Sequence, residues 1–423
     1  MPSPRRRPLR IALLTYRGKP HCGGQGVYTR HLSRELVALG HQVTVISGPP
    51  YPVIDDGVEL VELPSLDLYR DPDPFRIPKL SEFHDWVDVA EFAMMGTAAF
   101  PEPMTFGWRA WRHLRDRVAD FDLVHDNQSL GYGLIRIQQL GLPVMATIHH
   151  PITKDLELEL AANAGHPWRR FTLRRFYAFT RMQSKVAQRL PRIVTVSTSS
   201  KHDIATGHGV DPSRMHVVPV GVDHDRWRPQ PDVAKVPGRV MTTASADVAM
   251  KGLVYLLEAL AKVRTERDDA HLVVVGTPRG DSPATKTIER LGLRGAVEFV
   301  GGVSDDDIVR LYAEAEVAVV PSLYEGFSLP AIEAMACGVP VVGTTGGAIP
   351  EVVGTDNETA LIVPPGDAGA LAAKLLLALD DPDLRGRIGA AGRQRALDRY
   401  SWQAAAKGTE EHYVALLDEM RRR

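Results

Sequence analysis

The chain has 423 residues, with 50 Lys and Arg against 52 Asp and Glu, a formal net charge of −2. That length exceeds one ordinary hydrophobic core and points to two domains, while the near-neutral balance gives no global pull toward nucleic acid. Two cysteines, Cys22 and Cys337, make neither a disulfide framework nor a metal site, which fits a reducing cytoplasm.

The elements follow in chain order. Arg5, Arg6 and Arg7 lead into the apolar run 9–14, too short and too interrupted for a signal peptide, and no later stretch reaches membrane-spanning length. Residues 10–15 read as a first strand. A Gly-rich loop, 18–26, opens a helix over 27–39 with Leu32, Leu36 and Leu39 on one face and Gly40 as its stop, and 42–47 is the next strand. This βαβ opening predicts a parallel sheet. The loop Gly23-Gly24-Gln25-Gly26 fits a dinucleotide fingerprint, a phosphate loop or a plain turn; the dinucleotide form wants an acid at the end of the second strand, where Ile46-Ser47-Gly48 has none.

Residues 51–103 are irregular and rich in Pro and Asp, read as functional or mobile loops, with Asp71-Pro72-Asp73 a turn. Further strands are expected at 123–125, 144–149 and 193–197. The polar groups His125, Asp126 and Asn127, at one strand end, would either bind acceptor hydroxyls or cap the next helix. At another strand end, counting alone does not say which of His149 and His150 is presented. Residues 168–192 interleave Arg169, Arg170, Arg174, Arg175, Arg181 and Lys185 with Phe171, Phe176, Tyr177 and Phe179. That pattern suits a solvated helix with a core-facing stripe, or a basic amphipathic helix on anionic lipid.

Pro229, Pro231 and Pro237 mark a linker, after which βα units resume at 239–244, 253–263, 271–276 and 297–300. Asp305-Asp306-Asp307 follows Ser304 and precedes Ile308 and Leu311 at helical spacing, a capped helix start rather than a metal site. A buried strand at 316–320 ends at Pro321-Ser322. The loop holding Glu325-Gly326 then meets a helix that begins at Pro330 and stops at Gly338, with Glu333 in or near its first turn. A strand at 339–342 ends in Gly343-Thr344-Thr345-Gly346-Gly347. Two acids and two glycine-bearing loops therefore gather at the carboxyl ends of neighbouring parallel strands, where open α/β sheets bind ligands. A helix N-terminus there suits a diphosphate. The last strand is expected at 359–363 and the last helix at 402–420.

The string from Tyr324 to Glu351 resembles the Glu-x7-Glu signature of the family 4 retaining glycosyltransferases, with Glu325 and Glu333 at the signature's spacing. The resemblance spans nearly the whole chain, strongest at 10–47, 193–223 and 251–366. It implies the GT-B fold, an α/β architecture of two doubly wound Rossmann-like domains facing a cleft. Residues 1–222, joined by helix 402–423, would form the acceptor-side domain and 223–401 the nucleotide-sugar-binding domain.

The implied reaction moves a hexosyl group from a UDP- or GDP-linked hexose to a hydroxyl of a lipid, glycan or small-molecule acceptor, without nucleic acid, resident cofactor or metal. By the resemblance, Glu325 orients the hexose and Glu333 holds the ribose. The backbone of Gly326, Phe327, Ser328 and Leu329 and the loops at Gly346, Gly347, Gly23 and Gly24 meet sugar and phosphate. Lys251 neutralises the leaving diphosphate, and His149 points at the donor sugar. The family's usual arginine five or six residues before the lysine is absent, the positions being Ser245 and Ala246. That departure motivates a rival, a catalytically silent sugar-nucleotide binder. A GT-B-like epimerase is the other rival. The localisation implied is cytoplasmic, with contact at the inner membrane face if 168–192 binds anionic lipid.

Overall fold

A computed structural model describes residues 7–19, 24–70, 73–243, 248–278, 280 and 282–422. Cys22, Gly23, the Asp71-Pro72 pair, and Ser245 and Ala246 lie outside them. Contacts divide the chain into one unit of Met1–Val196, Ser200–Val218 and Ala405–Arg423, and another of Ser197–Ser199 and Pro219–Ala404. The sequence reading put these boundaries at 222/223 and 401/402; the chain divides at 218/219 and 404/405.

The first unit carries a parallel sheet of β1 (Arg10–Thr15), β2 (Gln42–Ser47), β3 (Glu59–Glu62), β4 (Leu123–Asn127), β5 (Val144–Ile148), β6 (Arg192–Thr195) and β7 (Met215–Val217). Their order is β3-β2-β1-β4-β5-β6-β7. The second carries β8 (Arg239–Thr242), β9 (His271–Val275), β10 (Val297–Val300), β11 (Val317–Val320), β12 (Val341–Thr344) and β13 (Leu361–Val363). Their order, β10-β9-β8-β11-β12-β13, repeats the first pattern. Both are doubly wound sheets, and each order reverses beside its first strand, at β1/β4 and at β8/β11.

Burial on both faces explains the unbroken apolar runs. In β11, Val317 and Val319 face one core with Leu256, Leu260 and Leu375, while Ala318 and Val320 face another with Tyr312, Ile332 and Met335. Successive side chains point to opposite faces, and helices cover both. In the first unit Leu14, Val124, Val144 and Ile148 pack with Leu134 and Val186.

Four sequence expectations need correction. The strands β3 and β7 were missed: β3 is half-exposed, with Glu at each end, and β7 is a three-residue edge strand. The stretch 51–103 is more ordered than its composition suggests. It contains β3 and the helix Trp86–Gly96, whose start uses Asp85 and Asp88 in a capping box. Residues 168–192 are not one helix but Pro167–Phe176, a 3₁₀ turn and Thr180–Ala187. Finally, Pro340 delays the strand after the signature to Val341, since proline donates nothing to a ladder.

Candidate functional site

In the second unit the chemistry collects at the reversal of strand order. After β8 the chain turns through a 3₁₀ segment, Ala249–Lys251, into the helix Leu253–Val263. Gly252 makes that turn at φ +69°, and a Cβ there would lie 2.0 Å from the Pro321 carbonyl oxygen. Met250 accepts a bond from the Leu323 N–H at 2.8 Å, tying this turn to the loop after β11. The consequence is a fixed approach of Lys251 to Glu325: Nζ donates to Oε1 at 2.8 Å. Buried Ser322 donates its Oγ hydrogen to the same oxygen at 2.7 Å. Glu325 is only 8% exposed. A carboxylate so held is oriented by two donors.

The loop after β12 closes on the same residue. Ala348 N–H donates to the Glu325 carbonyl at 2.8 Å. Gly347 adopts φ +63°, and a Cβ on it would lie 2.3 Å from that carbonyl oxygen. Gly346 donates its N–H to Thr344 Oγ1, whose own hydrogen goes to the Ser322 carbonyl. Lys251, Glu325, Gly346 and Gly347 are thus brought together. Ser322 and Thr344 join them through side-chain bonds that the sequence pattern does not signal, since Ser322 there marks only the end of a strand.

Gly326, Phe327 and Ser328 lead into the helix Leu329–Ala336. The helix begins one residue earlier than expected, with Pro330 second, and its first N–H groups have no partner within the helix. Ser328 is fully buried, and its Oγ has no hydrogen-bond partner among the described residues. Glu333 lies just past the first turn. The residue keeps some exposed surface, yet burial pushes its carboxyl up to about 8, and the like charge of Asp305 adds to this. Asp305 itself opens a helix capped by Ser304, as its spacing predicted.

In the first unit Gly24 begins the helix Gly24–Ala38 after β1, with open space where a Cβ would stand. His149 follows β5. Its backbone N–H donates to Gln128 Oε1 at 2.6 Å, and its Nε2 lies 2.7 Å from Asn127 Oδ1. The Asn127 amide nitrogen donates to the Gln25 carbonyl at 3.1 Å and to Thr29 Oγ1 at 3.0 Å, so Oδ1 is an acceptor. His149 therefore carries its hydrogen on Nε2 and presents Nδ1 as an acceptor. Burial lowers its imidazole pKa to about 3, with His150 repelling the charged form. His150 is engaged elsewhere, its Nε2 lying 3.1 Å from Asp155 Oδ2.

His125, Asp126 and Asn127 are fully buried, and each is bonded to other groups of the chain. His125 bonds Tyr413 and Thr147, each at 2.7 Å. Asp126 accepts from Ser129 Oγ and from the Leu130 N–H. These bonds tie the strand ends together, and Asn127 holds the His149 ring. Residue order alone left both readings open because it says nothing of depth.

Comparison with known proteins supplies the family. Residues 22–226 match the family described as Glycosyltransferase Family 4, and residues 227–395 match Glycosyl transferases group 1. The chain is 51% identical over 407 residues to the MMP alpha-(1->4)-mannosyltransferase of Mycolicibacterium hassiacum, covering 96% of this chain and 98% of that one. It is 26% identical over 451 residues to the D-inositol 3-phosphate glycosyltransferase of Streptomyces scabiei, covering 99% and 93%. Among solved structures, sucrose-phosphate synthase from Thermosynechococcus elongatus superposes with a TM-score of 0.73 at 22% identity, over 97% of this chain and 100% of that one. The epimerase and silent-binder readings are not favoured. The chain belongs to the family 4 glycosyltransferases, as a hexosyltransferase of GT-B fold.

Proposed function

We propose that the chain moves a mannosyl group from a nucleoside diphosphate mannose to a carbohydrate hydroxyl, forming an α-(1→4) bond with retained configuration. The observation that carries the reaction class is the Glu325 carboxylate, held by Lys251 and Ser322 where strand order reverses. The choice of sugar and linkage rests on the name of the 51% identical relative. An α product made from an α-linked donor keeps the anomeric configuration.

In this reading the C1–O bond to phosphate breaks while the acceptor oxygen bonds C1 on the same face. The acceptor proton passes to an oxygen of the departing diphosphate. Lys251 and the free N–H groups at the start of the Leu329–Ala336 helix stabilise that anion. Glu325 orients hexose hydroxyls, and Glu333 accepts hydrogen bonds from the ribose. His149 Nδ1 accepts a substrate hydroxyl. Positive charge for the leaving group comes from the chain itself, so the reading asks for no resident cofactor.

No helix among the described residues is long and apolar enough to cross a membrane. A peripheral contact is favoured by the helix Pro167–Phe176, which buries no residue and exposes Trp168 at 79% and Phe171 at 55% beside Arg169, Arg170 and Arg174. Aromatic rings with flanking guanidinium groups suit an anionic lipid surface.

Three outcomes test this. Glu325→Ala should lower turnover by about a hundredfold, the scale of losing one electrostatic contact at a reacting centre, while Glu333→Ala should weaken nucleotide-sugar binding by about 1.5–3 kcal/mol; wild-type rates and affinities in both would refute the assignment.

The second outcome concerns pH. A carboxyl raised to about 8 is mostly neutral at neutral pH, and ribose hydroxyls bind its ionised form better. Affinity for GDP-mannose, whose diphosphate diester loses no proton in this range, should therefore rise with pH up to about 8 and then level, and Glu333→Gln should abolish the slope. Calorimetry showing the same slope in both proteins would contradict the role.

Third, the wild type should co-sediment with anionic vesicles at low salt and be released by salt. Changing Arg169, Arg170 and Arg174 to Ser should abolish binding. A wild type that ignores anionic vesicles would end the membrane reading.

A further inference from the structure

The buried surroundings of His149 form a connected chain of hydrogen bonds that begins and ends in the terminal helix. Tyr413 OH lies 2.7 Å from His125 Nδ1, and His125 Nε2 lies 2.7 Å from Thr147 Oγ1. Thr147 Oγ1 lies 3.0 Å from Tyr28 OH, which also bonds Thr409. The Tyr28 ring meets the His149 imidazole edge-on, centroids 4.7 Å apart at 82°. His125, Thr147, Thr409 and Tyr413 are fully buried and Tyr28 nearly so.

The hydrogens in this chain have one consistent direction. Thr409 spends its hydroxyl hydrogen on the Ala405 carbonyl at 2.8 Å, so it accepts from Tyr28. Tyr28 then accepts from Thr147, and Thr147 accepts from Nε2–H of His125. Nδ1 of His125 is left to accept from Tyr413. Each group in the run has one hydrogen to give, so removing one member changes what its neighbour faces.

We propose that Tyr413 and Thr409 are positioning residues for His149: through His125, Thr147 and Tyr28 they set the wall against which the His149 ring is oriented. No atom of either touches substrate in this account. Their effect is to hold the His149 ring, whose other anchor is Asn127. Burial supports the neutral form of both imidazoles, each pushed down to about 3, so the chain orders tautomers rather than charges. The proposal rests on the role assigned to His149 above.

The test uses the full chain with Tyr413→Phe, which keeps the ring and deletes the donor, and Thr409→Val as a second break in the same run. The expected result is a kcat about tenfold lower, from loss of orientation, with KM for donor and acceptor within about twofold. Imidazole ¹⁵N spectra should show changes at both His125 and His149. Leu416→Ala, which hollows the same helix at a fully buried apolar position, should lower the Tm while keeping kcat. Wild-type kcat in both chain variants, or an equal kcat loss in Leu416→Ala, would overturn the positioning role. His149→Ala tells the two failures apart: wild-type turnover there removes the role of His149 itself, whereas an inactive His149→Ala beside an active Tyr413→Phe removes only the positioning.

Discussion

The close backbone packing of the loops after β8, β11 and β12 is the constraint on which the site in the second unit depends, and the bond from Lys251 to Glu325 is its product. A lysine on a flexible four-carbon stem reaches a carboxylate 74 residues away in sequence only because two loops are locked to each other first. Gly252 lets the turn after β8 pass against Pro321, and Gly347 lets the loop after β12 lie on Glu325. Side chains at either place would collide with backbone, which cannot yield as a flexible side chain can. The ion pair is therefore a consequence of backbone packing at the strand-order reversal. Lys251 stays partly exposed at 32%, so the pair adds little to stability by itself. Its value is orientation.

The first unit shows the complementary economy. His149 is held by groups that are themselves out of reach of solvent. Buried polar groups carry a cost unless each is bonded, and here β4 and β5 end in residues that satisfy one another: Asn127 with His149, and His125 with Thr147. Earlier in the same unit, Arg109 bridges buried Asp88 and Glu91, tying two helices that follow β3. Removing either acid or base there would strand a charge.

Much of this was legible in the sequence, and the reason is physical. Parallel strands buried on both faces are apolar nearly throughout, so β1 and β11 announce themselves. A glycine that permits close backbone approach, Gly252, stands directly beside Lys251, the residue it places. What was not legible depended on depth and partnership. His125, Asp126 and Asn127 have the composition of a ligand site but lie beneath the surface. Tyr28 and Tyr413 are 385 positions apart and carry no local signal, although both sit in one hydrogen-bonded run. Asp85 and Asp88 sit in a stretch that reads as irregular from its Pro and Asp content, which does not distinguish a cap from a loop until the following helix is counted.

The most direct measurement is a crystal structure of the chain with GDP-mannose. The account predicts the ribose hydroxyls within hydrogen-bond distance of the Glu333 carboxylate. It also predicts the diphosphate against Lys251 and the first N–H groups of the Leu329–Ala336 helix, and the mannose hydroxyls on Glu325. A nucleotide sugar bound with neither Glu325 nor Glu333 in contact would contradict it.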